Sequence, residues 1–193
     1  MTRTPRWAAA AVLALALSAC GGGGDDPTLG SSSAAPTAAT TAVTCTLKPV
    51  TIPAPASVSK DLSTKPAVPV NTGPVPTQVQ VADVVVGTGA VAGEGAAVEV
   101  KYVGAGDKTG KEFDSSWKGG PDSTLPFRIC GTEQEGDLIP VVPGFSVSPL
   151  GMKVGGRRLV RIPSAQGYPD GIPEAGVQPG DAITFVIDLV KVR

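Results

Sequence analysis

The sequence predicts an α+β domain that is mainly β: a sheet wrapped around one short helix, filling the C-terminal two-thirds of the chain. Three observations carry this reading. Apolar residues recur with period two in short runs between Val79 and Val192, the pattern of half-buried strands. Clusters of Gly and Pro separate those runs and mark turns. No segment sustains a helical period. Only Gly144–Met152 could form a helix, and Val147, Pro149 and two serines make it a poor helix former in isolation.

The strand runs follow in chain order. Val79 and Val81 lead into Val84-Val85-Val86, and Gly87-Thr88-Gly89 then ends the run. Val98, Val100 and Tyr102 alternate with Glu99, Lys101 and Val103. The stretch Gly104–Lys111 is superficially phosphate-binding, but its spacing fails the P-loop pattern and Glu112 stands where Ser or Thr must hold magnesium. It reads as a hairpin loop. Phe127 and Ile129 alternate after Pro126, and Arg157–Ile162 forms a further run. Ala182–Val192 is the longest, with Ile183, Phe185, Ile187 and Leu189 on one face.

The N-terminal part is of a different kind. Arg3 and Arg6 precede an apolar run, Trp7–Ala19, the layout of a secretory signal. The run is shorter than the roughly 20 residues of a membrane span. It ends in Leu17-Ser18-Ala19-Cys20, which resembles the bacterial lipobox; the alternative is an ordinary signal with a chance cysteine. The resemblance implies cleavage before Cys20 and acylation of that residue, with the mature protein held at the extracytoplasmic face of a bacterial membrane. Residues 1–19 are thus expected as signal peptide. Residues 20–44, poor in large apolar side chains, are expected as a flexible tether. Residues 45–65 open a proline-rich stretch running to 77, which excludes a helix and fits a stiff spacer partly packed on the domain at 66–193.

Composition narrows the chemistry. The chain has 193 residues, 16 basic and 17 acidic, with no histidine. Arg3 and Arg6 leave with the signal, so 14 basic residues face 17 acidic ones in the mature chain. A near-neutral balance without a basic cluster argues against nucleic acid as partner. Without histidine, Ser–His and Cys–His catalysis and ordinary zinc sites are excluded. No metal and no cofactor is expected, and the protein is expected to act as a monomer. Beyond Cys20 there are two cysteines, Cys45 and Cys130; an oxidising compartment favours a disulfide between them over two unrelated thiols.

The aromatic residues of the mature chain are Tyr102, Phe113, Trp117, Phe127, Phe145, Tyr168 and Phe185. By composition they could simply be a core, but their local motifs point further. The strand Gly95–Gly104 with Tyr102, the segment Gly110-Lys111-Glu112-Phe113-Asp114-Ser115-Ser116, the pair Pro126-Phe127 and the run Val141-Val142-Pro143-Gly144-Phe145 come in that order. Gly151-Met152-Lys153-Val154-Gly155-Gly156-Arg157-Arg158, then Gly167-Tyr168 and Ile183-Thr184-Phe185 complete the series. In type and order these resemble the FKBP-type peptidyl-prolyl isomerases over roughly residues 66–193.

That resemblance implies an antiparallel twisted sheet around a short helix, and catalysis of X–Pro bond rotation in extracytoplasmic proteins. It implies that Phe145 floors a pocket walled by Tyr102, Phe113, Phe127, Val141, Val142, Val177 and Phe185. Tyr168 and the Val142 N–H would donate to substrate carbonyls, and Asp114 would orient the site and face the twisted carbonyl. The reading of Asp114-Ser115-Ser116 as a plain turn or cap is the alternative. The chain departs from the family where Phe145 replaces the usual Trp and Pro169 the usual Gly. The segment Cys130–Pro140 is also longer than usual, and acidic through Glu133, Glu135 and Asp137. An alternative function is a non-catalytic fold of this type that holds proline-containing or unfolded segments, as a chaperone or peptide-binding lipoprotein. A structural envelope lipoprotein with a vestigial cleft is a third.

Overall fold

A computed structural model describes residues 44–193. The signal, the lipobox with Cys20 and the tether up to 43 lie outside the described residues. Seven strands form one sheet: β1 (Val50–Thr51), β2 (Gln80–Val85), β3 (Ala97–Gly106), β4 (Glu112–Ser115), β5 (Leu125–Arg128), β6 (Arg157–Ile162) and β7 (Ile183–Val192). Their spatial order is β1-β2-β6-β7-β3-β4, with β5 sharing with β4 the outer side of β3. β4 pairs with Val103–Ala105 and β5 with Ala97–Val100. All pairings are antiparallel except that of β1, which runs parallel to β2. That exception departs from the expected all-antiparallel sheet. It arises because the proline-rich arm enters along the sheet edge rather than by a hairpin.

Alternation decides which residues build each face. On one face Val98, Val100, Val160, Ile162, Ile183, Phe185, Ile187 and Leu189 form the main core, closed by Phe145, Val147 and Met152. The one α-helix among the described residues, α1 (Pro143–Ser146), is only four residues long, shorter than the expected 144–152. Pro143 suits its first turn, and Pro149 lacks the N–H needed to continue the ladder. Beyond it, single turns such as Ser148 N–H to Phe145 O carry the chain through Met152.

The opposite face is also covered. Val58 from the arm packs there with Ala82, Val84, Leu159 and Val186. β6 is therefore buried along its whole length despite carrying three arginines. Arg157 donates to both oxygens of Asp188 at 2.6 and 2.7 Å, and to the carbonyls of Ser59, Asp61 and Thr64 at 2.8–3.3 Å. Arg161 donates to both oxygens of Asp107 and to Pro74 O, while Thr184 and Asn71 also donate to Asp107. A buried arginine is tolerable only when paired and fully hydrogen-bonded, and here the arm supplies the missing acceptors. Residues from 44 onward thus form one compact unit with the sheet, and no boundary in the packing falls at 66. Cys45, itself buried, is disulfide-bonded to Cys130, with Cα atoms 5.2 Å apart.

Candidate functional site

Between the sheet and α1 lies a cleft of about 220 Å³ lined by Tyr102, Phe113, Asp114, Leu125, Ile139, Pro140, Val141, Val142, Phe145, Tyr168 and Phe185. The rings are fixed by their elements. Tyr102 and Phe185 come from the paired strands β3 and β7, Phe113 from β4 and Phe145 from α1. Phe145 is almost fully buried and meets Phe185 at 4.8 Å, Phe127 at 5.2 Å and Tyr102 at 5.6 Å between centroids. Phe113 stands edge-on to Phe185 at 5.6 Å and to Tyr168 at 6.1 Å. Such edge-to-face contacts hold each ring in place. Gly104 makes the arrangement possible, because a Cβ there would run into the Phe185 ring and lie 3.0 Å from Phe113 Cζ.

Asp114 is the one carboxylate lining the cleft. The Tyr102 hydroxyl donates to its Oδ2 at 2.5 Å, and Lys118 Nζ lies 3.3 Å from its Oδ1. Burial acts most strongly against its ionisation, yet the bonds from Tyr102, the Ser115 N–H and Lys118 together outweigh it and hold the carboxyl below its usual value. Burial, then the bond to Asp114, pushes the Tyr102 hydroxyl well above its usual value. Burial and the Asp114 charge raise Tyr168 as well. The serines after Asp114 fix it in place. Ser116 Oγ accepts from Tyr102 N–H, Ser115 Oγ donates to Tyr102 O, and Ser115 also accepts from the Trp117 N–H. The segment is thus a cap, as its composition allows, and at the same time a clamp on both ends of Tyr102.

Of the site residues inferred from sequence, Tyr102, Phe113, Asp114, Val141, Val142, Phe145, Tyr168 and Phe185 converge on this cleft. Phe127 and Val177 do not. Phe127 has no exposed surface and lies behind Phe145, because β5 turns its side chain into the main core. Val177 is likewise buried, in the core beneath the loop that follows Tyr168. They back the cleft rather than face it. The Val142 N–H, at the N-cap of α1, makes no hydrogen bond among the described residues.

Four participants were not inferred from sequence. Lys118 carries an i,i+4 signal relative to Asp114. Leu125 opens β5 and has no distinguishing motif. Ile139 and Pro140 end the long acidic segment, whose apolar residues signal an anchor: Leu138 is buried, and Ile139 N–H donates to Pro126 O at 2.8 Å.

The family model of the FKBP-type peptidyl-prolyl cis-trans isomerases matches residues 89–190. The chain belongs to that family. Among its relatives is the probable FK506-binding protein of Corynebacterium glutamicum, 39% identical over 129 residues, which cover 66% of this chain and 98% of that protein. The FK506-binding protein of Streptomyces anulatus is 40% identical over 129 residues, covering 66% of this chain and 97% of its own. The crystal structure of FkpA from Escherichia coli is 27% identical, covering 68% of this chain and 54% of that one, with a TM-score of 0.48. As an FKBP-type isomerase, the protein catalyses rotation about X–Pro bonds in polypeptides.

Proposed function

We propose that the cleft over Phe145 is where this isomerase turns X–Pro bonds, and that it acts on extracytoplasmic proteins while anchored through Cys20. The observation that carries the site is one apolar, aromatic-walled cleft with a single ionised carboxylate on its wall. The barrier to X–Pro rotation, about 20 kcal/mol, is mainly lost amide resonance. The planar amide is more charge-separated than the twisted one, so an apolar cleft destabilises the ground state relative to the transition state. No proton needs to move, which agrees with a chain lacking histidine. The proline ring stacks into the space bounded by Phe145, Tyr102, Phe113 and Phe185. Tyr168 and the Val142 N–H donate to substrate carbonyls, and Asp114, oriented by Tyr102 and Lys118, faces the twisted carbonyl carbon.

A proline-limited refolding assay tests the activity directly. Acceleration by catalytic amounts of protein is expected; none at micromolar protein would refute it. Tight peptide binding without acceleration would instead favour the peptide-holding reading, to which the exposed Ile139 at the cleft gives some support. The anchor rests on Leu17-Ser18-Ala19-Cys20. Expressed with a radiolabelled fatty acid in a bacterial host, the wild type should carry label in the membrane fraction and Cys20→Ser should not. Equal labelling of both would remove the lipid from the proposal.

A further inference from the structure

Beside the cleft lies a second cavity, lined by Glu112, Phe113, Tyr168, Ile172, Pro173, Glu174 and neighbouring small residues. Phe113 and Tyr168 belong to both cavities, so the edge-to-face pair forms a partition between them. A polypeptide whose proline occupies the first can lay an adjoining side chain over that partition. The second cavity is amphipathic: Phe113, Tyr168, Ile172 and Pro173 are joined in its lining by the acidic residues Glu112 and Glu174.

The basic groups around it are otherwise engaged. Lys65 pairs with Glu112 at 2.7 Å, and Lys111 Nζ donates to the backbone carbonyl of Glu174 at 2.8 Å. Among the described residues, no salt bridge involves the Glu174 carboxylate.

We infer that this cavity is a specificity subsite for an arginine or lysine next to the substrate proline. This rests on the cleft being the isomerase site. The long aliphatic stem of such a residue can lie on Phe113, Ile172 and Pro173 while its charged head stays at the wet rim. There Glu174 offers a carboxylate that no basic side chain among the described residues pairs with. An acidic side chain in the same place would meet the Glu174 carboxylate, Glu112 being paired with Lys65, and a small one would leave the apolar walls bare.

The test uses the mature protein and a peptide series in which the residue before proline, or the one after it, is Arg, Ala or Glu. Both turnover and equilibrium binding are measured at low and high salt. At low salt Arg should exceed Glu by about fivefold in kcat/KM, carried mainly by KM, the worth of a partly exposed ion pair near 1 kcal/mol. Glu174→Gln should compress that ratio, Glu174→Lys should invert it, and salt should weaken it. An Arg-to-Glu ratio near one in the wild type, or one unchanged in both variants, overturns the subsite. Failure of the underlying isomerase reading looks different: no peptide is turned over. Binding then decides the subsite alone, with Arg tighter than Glu supporting it and equal affinities overturning it.

Discussion

Asp114 holds its charge on the wall of the cleft, below the usual carboxylate value. Its two oxygens are occupied by Tyr102 and Lys118, which in the proposed site would make it a fixed charge rather than a proton carrier. Removing it should slow the transition state without unfolding the domain, because half of its side chain is exposed. Asp114→Ala and Tyr168→Phe should each lower kcat/KM about fivefold to tenfold, the worth of one interaction of about 1 kcal/mol, with unchanged melting temperatures. Full activity in both variants would show that the roles lie elsewhere. Gly104 makes a second residue-scale case. Gly104→Ala in β3 forces Phe185 and Phe113 apart, so overpacking should cost about 1–3 kcal/mol. Peptide affinity should fall with it, read from a binding titration below the melting transition. Wild-type affinity would mean that the rings adjust freely.

At the scale of elements, the arm and the long loop before α1 depend on one another. The arm brings Cys45 to Cys130, Val58 to the open face of the sheet and three carbonyls to Arg157. The bridge closes 85 residues of chain, for which the loop-entropy model gives about 4.5 kcal/mol. Reduction, or Cys45→Ser with Cys130→Ser, should lower the urea midpoint of unfolding, with a slope at least as steep because the released chain expands. An unchanged midpoint would mean that the bridge adds nothing. Deleting residues 44–65 should cost more than the double serine variant, since it also strips acceptors from the buried Arg157. Equal losses would make the arm a mere tether for the bridge. These long-range dependences explain what could and could not be read in advance. The aromatic strands were legible because alternation and short motifs are local, as Ile183, Phe185, Ile187 and Leu189 on one face of β7 show. The sites of Phe127 and Val177 behind the wall were not. Depth within a core is set by which element covers a side chain, and residue type does not reveal that. The parallel pairing of β1 and the covering of Arg157 join residues about 30 to 100 apart, which no local pattern encodes.

For the whole molecule, the charges separate the pH dependence of activity from that of stability. There is no histidine, Asp114 is held below the usual carboxylate value, and Tyr102 and Tyr168 are held above the usual phenol value. No group lining the cleft therefore changes charge near neutrality, and kcat/KM should be flat from about pH 6 to 9. A bell-shaped profile in that range would call for a titrating group that the cleft does not contain. Stability should behave otherwise. Asp107 is fully buried. Burial opposes its charge most strongly, but hydrogen bonds from Arg161 and Thr184 overcome that and leave its carboxyl below the usual 3.8. The native state thus binds this proton less readily than the unfolded chain. The stabilisation is complete above the unfolded value, erodes as pH falls below it, and is gone once pH passes the lower folded value. Unfolding midpoints should accordingly hold near neutrality and drop below about pH 4. Asp107→Asn leaves Arg161 buried without its counter-charge, so it should cost about 3–5 kcal/mol at neutral pH and flatten the acid limb. An acid limb as steep as in the wild type would show that Asp107 is not the group that the fold needs ionised.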